Sequence, residues 1–567
     1  MAFMAEDQGQ SIGPNHPNND PSLERNVCIC GLLLVAIFLA LYLLSPPFEY
    51  DSELPNPTLV VTGLFVVASL IAFFGLNSAL KISRQRQKSL LPMVIVFAIS
   101  TRLIAAFTCP ILEIDYYRYL WDGKVTASGI SPYLYSPDQV LNSNPNDAGA
   151  LGKLNGLSLA SESNHRVLSR IHFENYTTIY PPISQCVFAL VMKWFPDSAS
   201  VEAHVIAMKL ALVLFDIGTM LLAWLLLKQL GFRIGWMMVY AWNPLVIKEI
   251  ANSGHLDSIA TFFMMAAIVL IVRWRLSGSS KVGIWLLAGS GIALGLGVGA
   301  KLFPVVVVPA LTVYVMRQSV AKVSLFLILF AITTLFVLWP MIEPIVEQSG
   351  QSEVQSLLVA TESQHGMVGF FSQWRMNDTI FSFVYLNLKD SNREIDRTPW
   401  FVFTGSEFRD RFDQWFREKG IGDNNPAYFF TRVLTLGMLL IFYLWQLLIL
   451  YRINFEKENV AGQQESIFLL QRLVLVLTAF LFLQPTVNPW YFVWVFPLAC
   501  FSMNRGWRLA SGLLLTYYAR FWLQSLDGTF EFVGRQYSGE GVYDHIVVWI
   551  VLVLIAGSLL LFRKSSR

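Results

Sequence analysis

Residues 113–123, EIDYYRYLWDG, are the part of this chain best equipped for chemistry. Two acids, Glu113 and Asp115, stand one residue apart directly after an apolar run, with Tyr116, Tyr117, Arg118 and Trp121 behind them. In an extended segment residues i and i+2 point to the same side, so the two carboxylates are placed to face one substrate together. Aromatic residues are also enriched where a chain leaves a membrane, which gives the cluster an ordinary interfacial reading beside the chemical one.

Four further polar clusters interrupt apolar segments. Trp242-Asn243-Pro244 continues to Lys248, Glu249, Asn252, Gly254, His255 and Asp257. Lys301 stands inside GAKLFP, and Asn488 and Trp490 stand inside QPTVNPWY. Asp216 lies within an apolar run, where Lys209 is its expected partner. Ionisable groups within a membrane protein are costly and functional by default. The plainer readings are snorkelling for Lys301 and an interior hydrogen bond for His255. His255 and Asp257 are two ligands, too few for a metal, and no third is apparent, so no metal is expected.

The elements that position these groups are membrane helices. The chain has 567 residues, 54% hydrophobic and only 14% charged, and a mean hydropathy of +0.51. So few charges do not solvate a soluble protein of this size, and a net charge of +2 without basic tracts gives no sign of a nucleic-acid partner. Apolar runs of span length recur at 28–45, 59–80, 90–110, 183–195, 204–227, 235–250, 258–272, 282–298, 302–316, 323–339, 428–450, 467–483, 490–501, 507–523 and 544–562. The expected fold is an all-α polytopic bundle of about 13–15 transmembrane segments. Lys81, Arg84, Arg86 and Lys88 place the turn after the second run in the cytoplasm, so run 90–110 delivers Glu113 and Asp115 to the opposite face. Residues 1–24 read as a disordered cytoplasmic tail with no cleaved signal peptide. Residues 25–567 read as one transmembrane domain with long external loops at about 111–180 and 341–426. The runs 183–195 and 235–250 cannot both be full spans if the basic turns are inside; one is short or re-entrant. The five cysteines read as small apolar residues.

The ordered series EIDYYRYLWDGKVTASGISPY, YPPISQ, WNPLVIKEIANSGHLDSIATFF, GLGVGAKLFPVVVVP and QPTVNPWYFVWVFPL resembles the GT-C superfamily of membrane glycosyltransferases. Within it, the chain looks like the polyprenyl-phosphate-mannose-dependent mannosyltransferases: the bacterial and archaeal membrane enzymes and GPI mannosyltransferase I. The family's acidic pair in the first external loop is matched here by Glu113-x-Asp115. The chain departs in having two runs before the span that leads into that loop.

The resemblance implies an inverting transfer of a sugar, mannose first, from a polyprenyl-phosphate donor to a lipid, glycan or protein acceptor. It places the general base in this pair, Asp115 first with Glu113 positioning the acceptor or sharing the proton, and the glutamate at the first position leaves open which of the two is the base. It implies Lys301, His255 and Arg118 as the donor-phosphate cations. Tyr116, Tyr117, Trp121 and Tyr133 are expected to offer flat faces to a sugar, and Asp257, Asn488 and Trp490 to contact substrate. Trp374, Asn377 and Asp378 are expected on the acceptor side. No cofactor is expected, membrane lipids are the expected surroundings, and likeness to the bacterial branch points to a prokaryotic plasma membrane with the site facing outward. A transporter or flippase of lipid-linked sugar is the alternative from another class; it would place polar groups near the midplane. An enzyme for arabinose, glucose or galactose, or a non-catalytic relative, would keep the fold.

Overall fold

A computed structural model of the chain describes residues 21–196, 198–277, 281–349, 366, 374–391, 399–420, 425–454 and 458–562. Nearly all of the expected tail, 1–20, lies outside these residues; the first helix already begins at Pro21. Among the described residues ten helices are long and apolar enough to cross a membrane, from Pro21–Leu43 through Thr58–Lys81 and Gln87–Phe107 to Gly539–Leu561. The chain is therefore an all-α, multi-pass membrane protein. Its only described sheet is a two-stranded hairpin, Phe530–Phe532 with Arg535–Tyr537.

Five of the expected runs are short or broken instead, and four of these still traverse the bundle. The stretch from Ile234 to Asn252 is a relay of 3-10, α and π turns. It starts at the basic end, where Arg233 donates to the Leu80 carbonyl at 2.6 Å. It finishes at the acidic end, where Asn252 accepts from the Ile111 amide at 3.0 Å and donates to the Cys109 carbonyl at 2.9 Å. Likewise Trp490 stacks on His255 at the acidic end, and Phe501 packs on Phe232 at the basic end. The Phe303–Met316 stretch runs from Lys301 to Arg317, which bridges the Leu450 carbonyl and Glu465. Helix Gly506–Leu515 starts beside Ser558, and its continuation ends at Gln524 close to Glu540. By contrast Pro182–Trp194 is a single helix of 13 residues held at the acidic end, where Ser184 donates to the Ala300 carbonyl. It is the short segment of the pair that parity set against each other.

Broken helices survive within a bilayer only where protein satisfies the freed backbone groups. Here the break at 241–244 is wholly buried. Arg102 donates to the Ala241 carbonyl at 2.6 Å, and Arg508 donates to the Trp242 carbonyl. Asn243 accepts from the Leu245 and Val246 amides. Asp216 pairs with Arg102 at 2.5 Å and accepts from Tyr240. This corrects the expected Lys209 partner: Lys209 instead reaches the Thr108 carbonyl at 2.6 Å, next to the stretch that carries the acids.

Half of residues 111–180, expected as a loop, folds as helices: Tyr116–Ala127, Pro137–Leu141, Ala150–Leu159 and Glu162–Ser169. Tyr116–Ala127 packs on Pro182–Trp194, with Tyr119 stacked on Phe188 at 4.8 Å and Gly123 at the crossing. A Cβ on Gly123 would stand 2.7 Å from the Phe188 carbonyl oxygen, a backbone atom with no rotamer to yield. Alanine there gains up to about 1 kcal/mol of helix propensity, yet overpacking of this kind costs about 1–3 kcal/mol. Gly123→Ala is expected to lower the thermal midpoint in detergent; an unchanged or raised midpoint would show that the two helices separate freely.

Candidate active site

The acidic pair sits where the chain reverses from a span into the helix Tyr116–Ala127. Leu112 adopts a left-handed φ of 53°, a conformation a branched side chain rarely takes and one that clusters at functional sites. It folds Glu113 back on the chain. One oxygen of Glu113 then accepts from both the Ile114 and Asp115 amides, each at 2.9 Å. Asp115 occupies the N-cap position but makes no side-chain cap bond. Glu113 is thus tied to the two amides that lead into the helix, the first-turn amides of Tyr117 and Arg118 being met by the Ile114 and Asp115 carbonyls, and the Asp115 carboxylate is left for something else.

His255 closes the site from the other side. The π-turn Ile247–Asn252 ends in Ser253 and Gly254, whose φ of +76° lets the chain turn into the helix Asp257–Leu276. The imidazole is buried, stacked on Trp490 at 4.3 Å, and lies between two carboxylates. Nε2 is 3.2 Å from Glu113 Oε2; Nδ1 is 3.2 Å from Glu249 Oε2 and 3.1 Å from the Glu249 carbonyl. Tyr518 donates to Glu249 at 2.7 Å, and Lys248 reaches Tyr518 and Ser253. Glu249 stands in the motif run, yet its part is not legible there: it requires the π-turn to bring a residue six positions before His255 onto the ring.

These contacts separate the two acids electrostatically. Burial pushes both carboxyls up. At Glu113 the charge and hydrogen bond of His255 and the Asp115 amide outweigh it and hold the group down at about 2. At Asp115 burial is reinforced by the Glu113 charge, against the weaker pull of His255, Lys301 and Arg118, and raises it to about 7. Burial pulls His255 down, but Glu113 and Glu249 outweigh it and lift it to about 10. At neutral pH this makes Glu113 a carboxylate and His255 an imidazolium, with Asp115 near its titration point beside them.

Lys301 follows the helix Lys281–Ala300, where a cation complements the helix dipole. Its ammonium is 2.7 Å from Asp257 Oδ1 and lies over the rings of Tyr491 and Trp494. Trp494 also donates to Asp257 at 2.5 Å. Asp257 is therefore buried and engaged in fixing Lys301, a role the sequence reading did not give it. Arg118 donates to the Phe173 carbonyl at 3.0 Å, and the Phe173 ring packs on Trp374 at 4.5 Å. The segment expected as the second external loop meets the site through this contact and through pairing of Met376 with Pro485 and Val487. Asn377 donates to Asn488 at 3.1 Å. Asp378 pairs with Arg375. Most of 350–373 lies outside the described residues.

Tyr116, Tyr117, Trp121 and Tyr133 are buried, their rings used in packing; Tyr117 also accepts from Arg170, and Tyr133 donates to the Tyr180 carbonyl. Trp490 and Trp374 are half-buried, as is Tyr180, whose ring packs on Tyr119. Glu113, Asp115 and His255 each bring a ligand atom within 4.8 Å of the others. The third metal-ligand candidate, absent from the sequence reading, thus exists by distance. With His255 protonated the trio is a salt-bridge chain; with His255 neutral, its buried Nε2, which has no hydrogen-bond partner among the described residues, is the third ligand atom.

Residues 51–317, just under half of the chain, match the family model described as MptA_B family, alpha-(1->6)-mannopyranosyltransferase, N-terminal domain. The match supports a mannosyl-transferring glycosyltransferase. It bears out the resemblance to GT-C-like mannosyltransferases over a stretch that holds Glu113, Asp115, Arg118, Glu249, His255, Asp257 and Lys301. Trp374, Asn377, Asn488 and Trp490 lie beyond it. No curated protein matches the chain, and no solved structure does.

Proposed function

We propose that the chain transfers mannose, with inversion, from a polyprenyl-phosphate donor to a hydroxyl of a lipid, glycan or protein acceptor, on the membrane face opposite the basic turns. The observation that carries this reading is the unequal acidic pair: Glu113 bonded to two amides and His255, Asp115 uncommitted and poised near neutrality. A general base works best with a pKa near the operating pH. A phosphate leaving group needs no acid to protonate it, so one base suffices, unlike the carboxylate pairs of glycosidases. Of the three cations whose charges reach Asp115, His255, Lys301 and Arg118, His255 is held between Glu113 and Glu249, and Lys301 and Arg118 stabilise the departing phosphate. Trp490 and Trp374 flank the sugar and its acceptor. The polar groups gather at one end of the bundle, which suits a reaction at the membrane surface better than passage through the midplane.

The test is transfer by purified protein in liposomes from polyprenyl-phosphate-mannose beside nucleotide-activated mannose. Labelled product from the lipid donor alone, of opposite anomeric configuration, is the expected result. Transfer from the nucleotide donor, or retention at C1, would overturn the reading. Because His255 is read as an imidazolium, chelation by EDTA is expected to leave the rate within about twofold; loss restored by a divalent cation would make the trio a metal site.

A further inference from the structure

The helix Ser406–Glu418 lies outside the motif series and outside the proposed reaction. At 3.6 residues per turn, Phe408, Phe412, Trp415 and Phe416 share one side, and Glu407, Asp410, Asp413, Gln414 and Arg417 the other. Half of the apolar side is covered by protein. Phe412 and Phe416 pack on Phe430 at 5.5 and 5.8 Å, and Arg409 is buried and donates to the Thr404 carbonyl. The other half is open: Phe408 and Trp415 are each 52% exposed, with Arg411 beside them. Phe430 is in the second turn of the span Pro426–Arg452, whose Phe429, Val433 and Leu436 are also exposed. The open rings therefore stand at the level where that span leaves the bilayer.

We propose that Ser406–Glu418 is an interfacial membrane-binding helix. Phe408 and Trp415 insert among the outer acyl ends, and Arg411 meets lipid phosphates. Aromatic rings favour this depth, a helix apolar on one side and charged on the other lies in the interface plane, and anionic headgroups attract its cation. The helix is tied to the segment that closes the site: Ser391 bonds Asp410, and Thr404 bonds Asn387. Lipid contact thus fixes the height of 374–391 over the acids.

The test reads membrane depth and needs no activity, so its outcome is separate from that of the proposed reaction. A nitroxide is placed by Trp415→Cys in the full chain with its native cysteines replaced, in bilayers with and without anionic lipid. Collision with oxygen exceeding collision with a water-soluble nickel chelate is expected, and the reverse for Gln414→Cys. Nickel dominance at both positions would overturn the proposal. Should the cysteine-free chain not fold, quenching by brominated lipid is compared for wild type and Trp415→Phe. A smaller quenched fraction in Trp415→Phe supports the proposal, and equal fractions overturn it. Arg411→Glu is expected to move the label outward in anionic bilayers only; the same depth in both bilayers would remove Arg411 from the contact.

Discussion

Asp115→Asn is expected to slow sugar transfer by roughly 10²–10⁴-fold, the usual worth of a general base, with donor binding intact. The substitution keeps shape and removes only the basic oxygen, and Asp115 makes no cap bond whose loss would unfold its helix. The pH profile of kcat/KM gives the companion result. The working form has Asp115 ionised and His255 protonated. With Asp115 raised to about 7, activity is lost as pH falls through that value; with His255 at about 10, it is lost again as pH rises through that one. Glu113, held at about 2, stays ionised throughout. Glu113→Gln removes the charge that raises both neighbours, so both limbs are expected to move to lower pH. An active Asp115→Asn beside a dead Glu113→Gln, with an unshifted profile, would exchange the two roles.

The acids, His255 and Lys301 were legible as candidate site residues because each is an ionisable group bordering apolar sequence, where stability alone gives little reason for it. Which acid does what was not legible. An extended i, i+2 pair makes the two equivalent; the turn at Leu112 binds one to the amides of residues 114 and 115 and leaves the other uncommitted. Glu249 and Asn252 escaped assignment for a related reason. Their work depends on a π-turn, and a period of 3.6 places neither against its partner. The ten long spans were readable from hydropathy, whereas the broken ones were readable only as apolar runs. Length separates a span from a relay of short turns only when the side chains satisfying each break are known, and Arg102, Asn243 and Arg508 are far apart in sequence. Residues 111–180 read as a loop because none of their helices exceeds twelve residues, too short for a span-length period, and even the buried one, Tyr116–Ala127, carries Arg118, Asp122 and Lys124.

The largest stability effect is expected at the Arg102–Asp216 pair. Both side chains are 0% exposed, and removing one partner of a buried pair costs about 3–5 kcal/mol because the other charge is left unpaired. Asp216→Leu should therefore lower the midpoint of unfolding in detergent far more than an ordinary surface change, which stays within about 0.5 kcal/mol. Tyr240 would lose its acceptor in the same step. The double variant Arg102→Met with Asp216→Leu removes both charges and should recover part of the loss. Recovery should be incomplete, because Arg102 also satisfies the Ala241 carbonyl at the helix break. That residue of lost stability measures what the break costs without its donor. The break is what turns the chain toward Lys248, Glu249 and His255. The double variant should therefore fold with a looser site, its transfer rate falling more than its unfolding midpoint. A double variant as unstable as the single one would mean that the carbonyl, and not the ion pair, is what Arg102 chiefly serves.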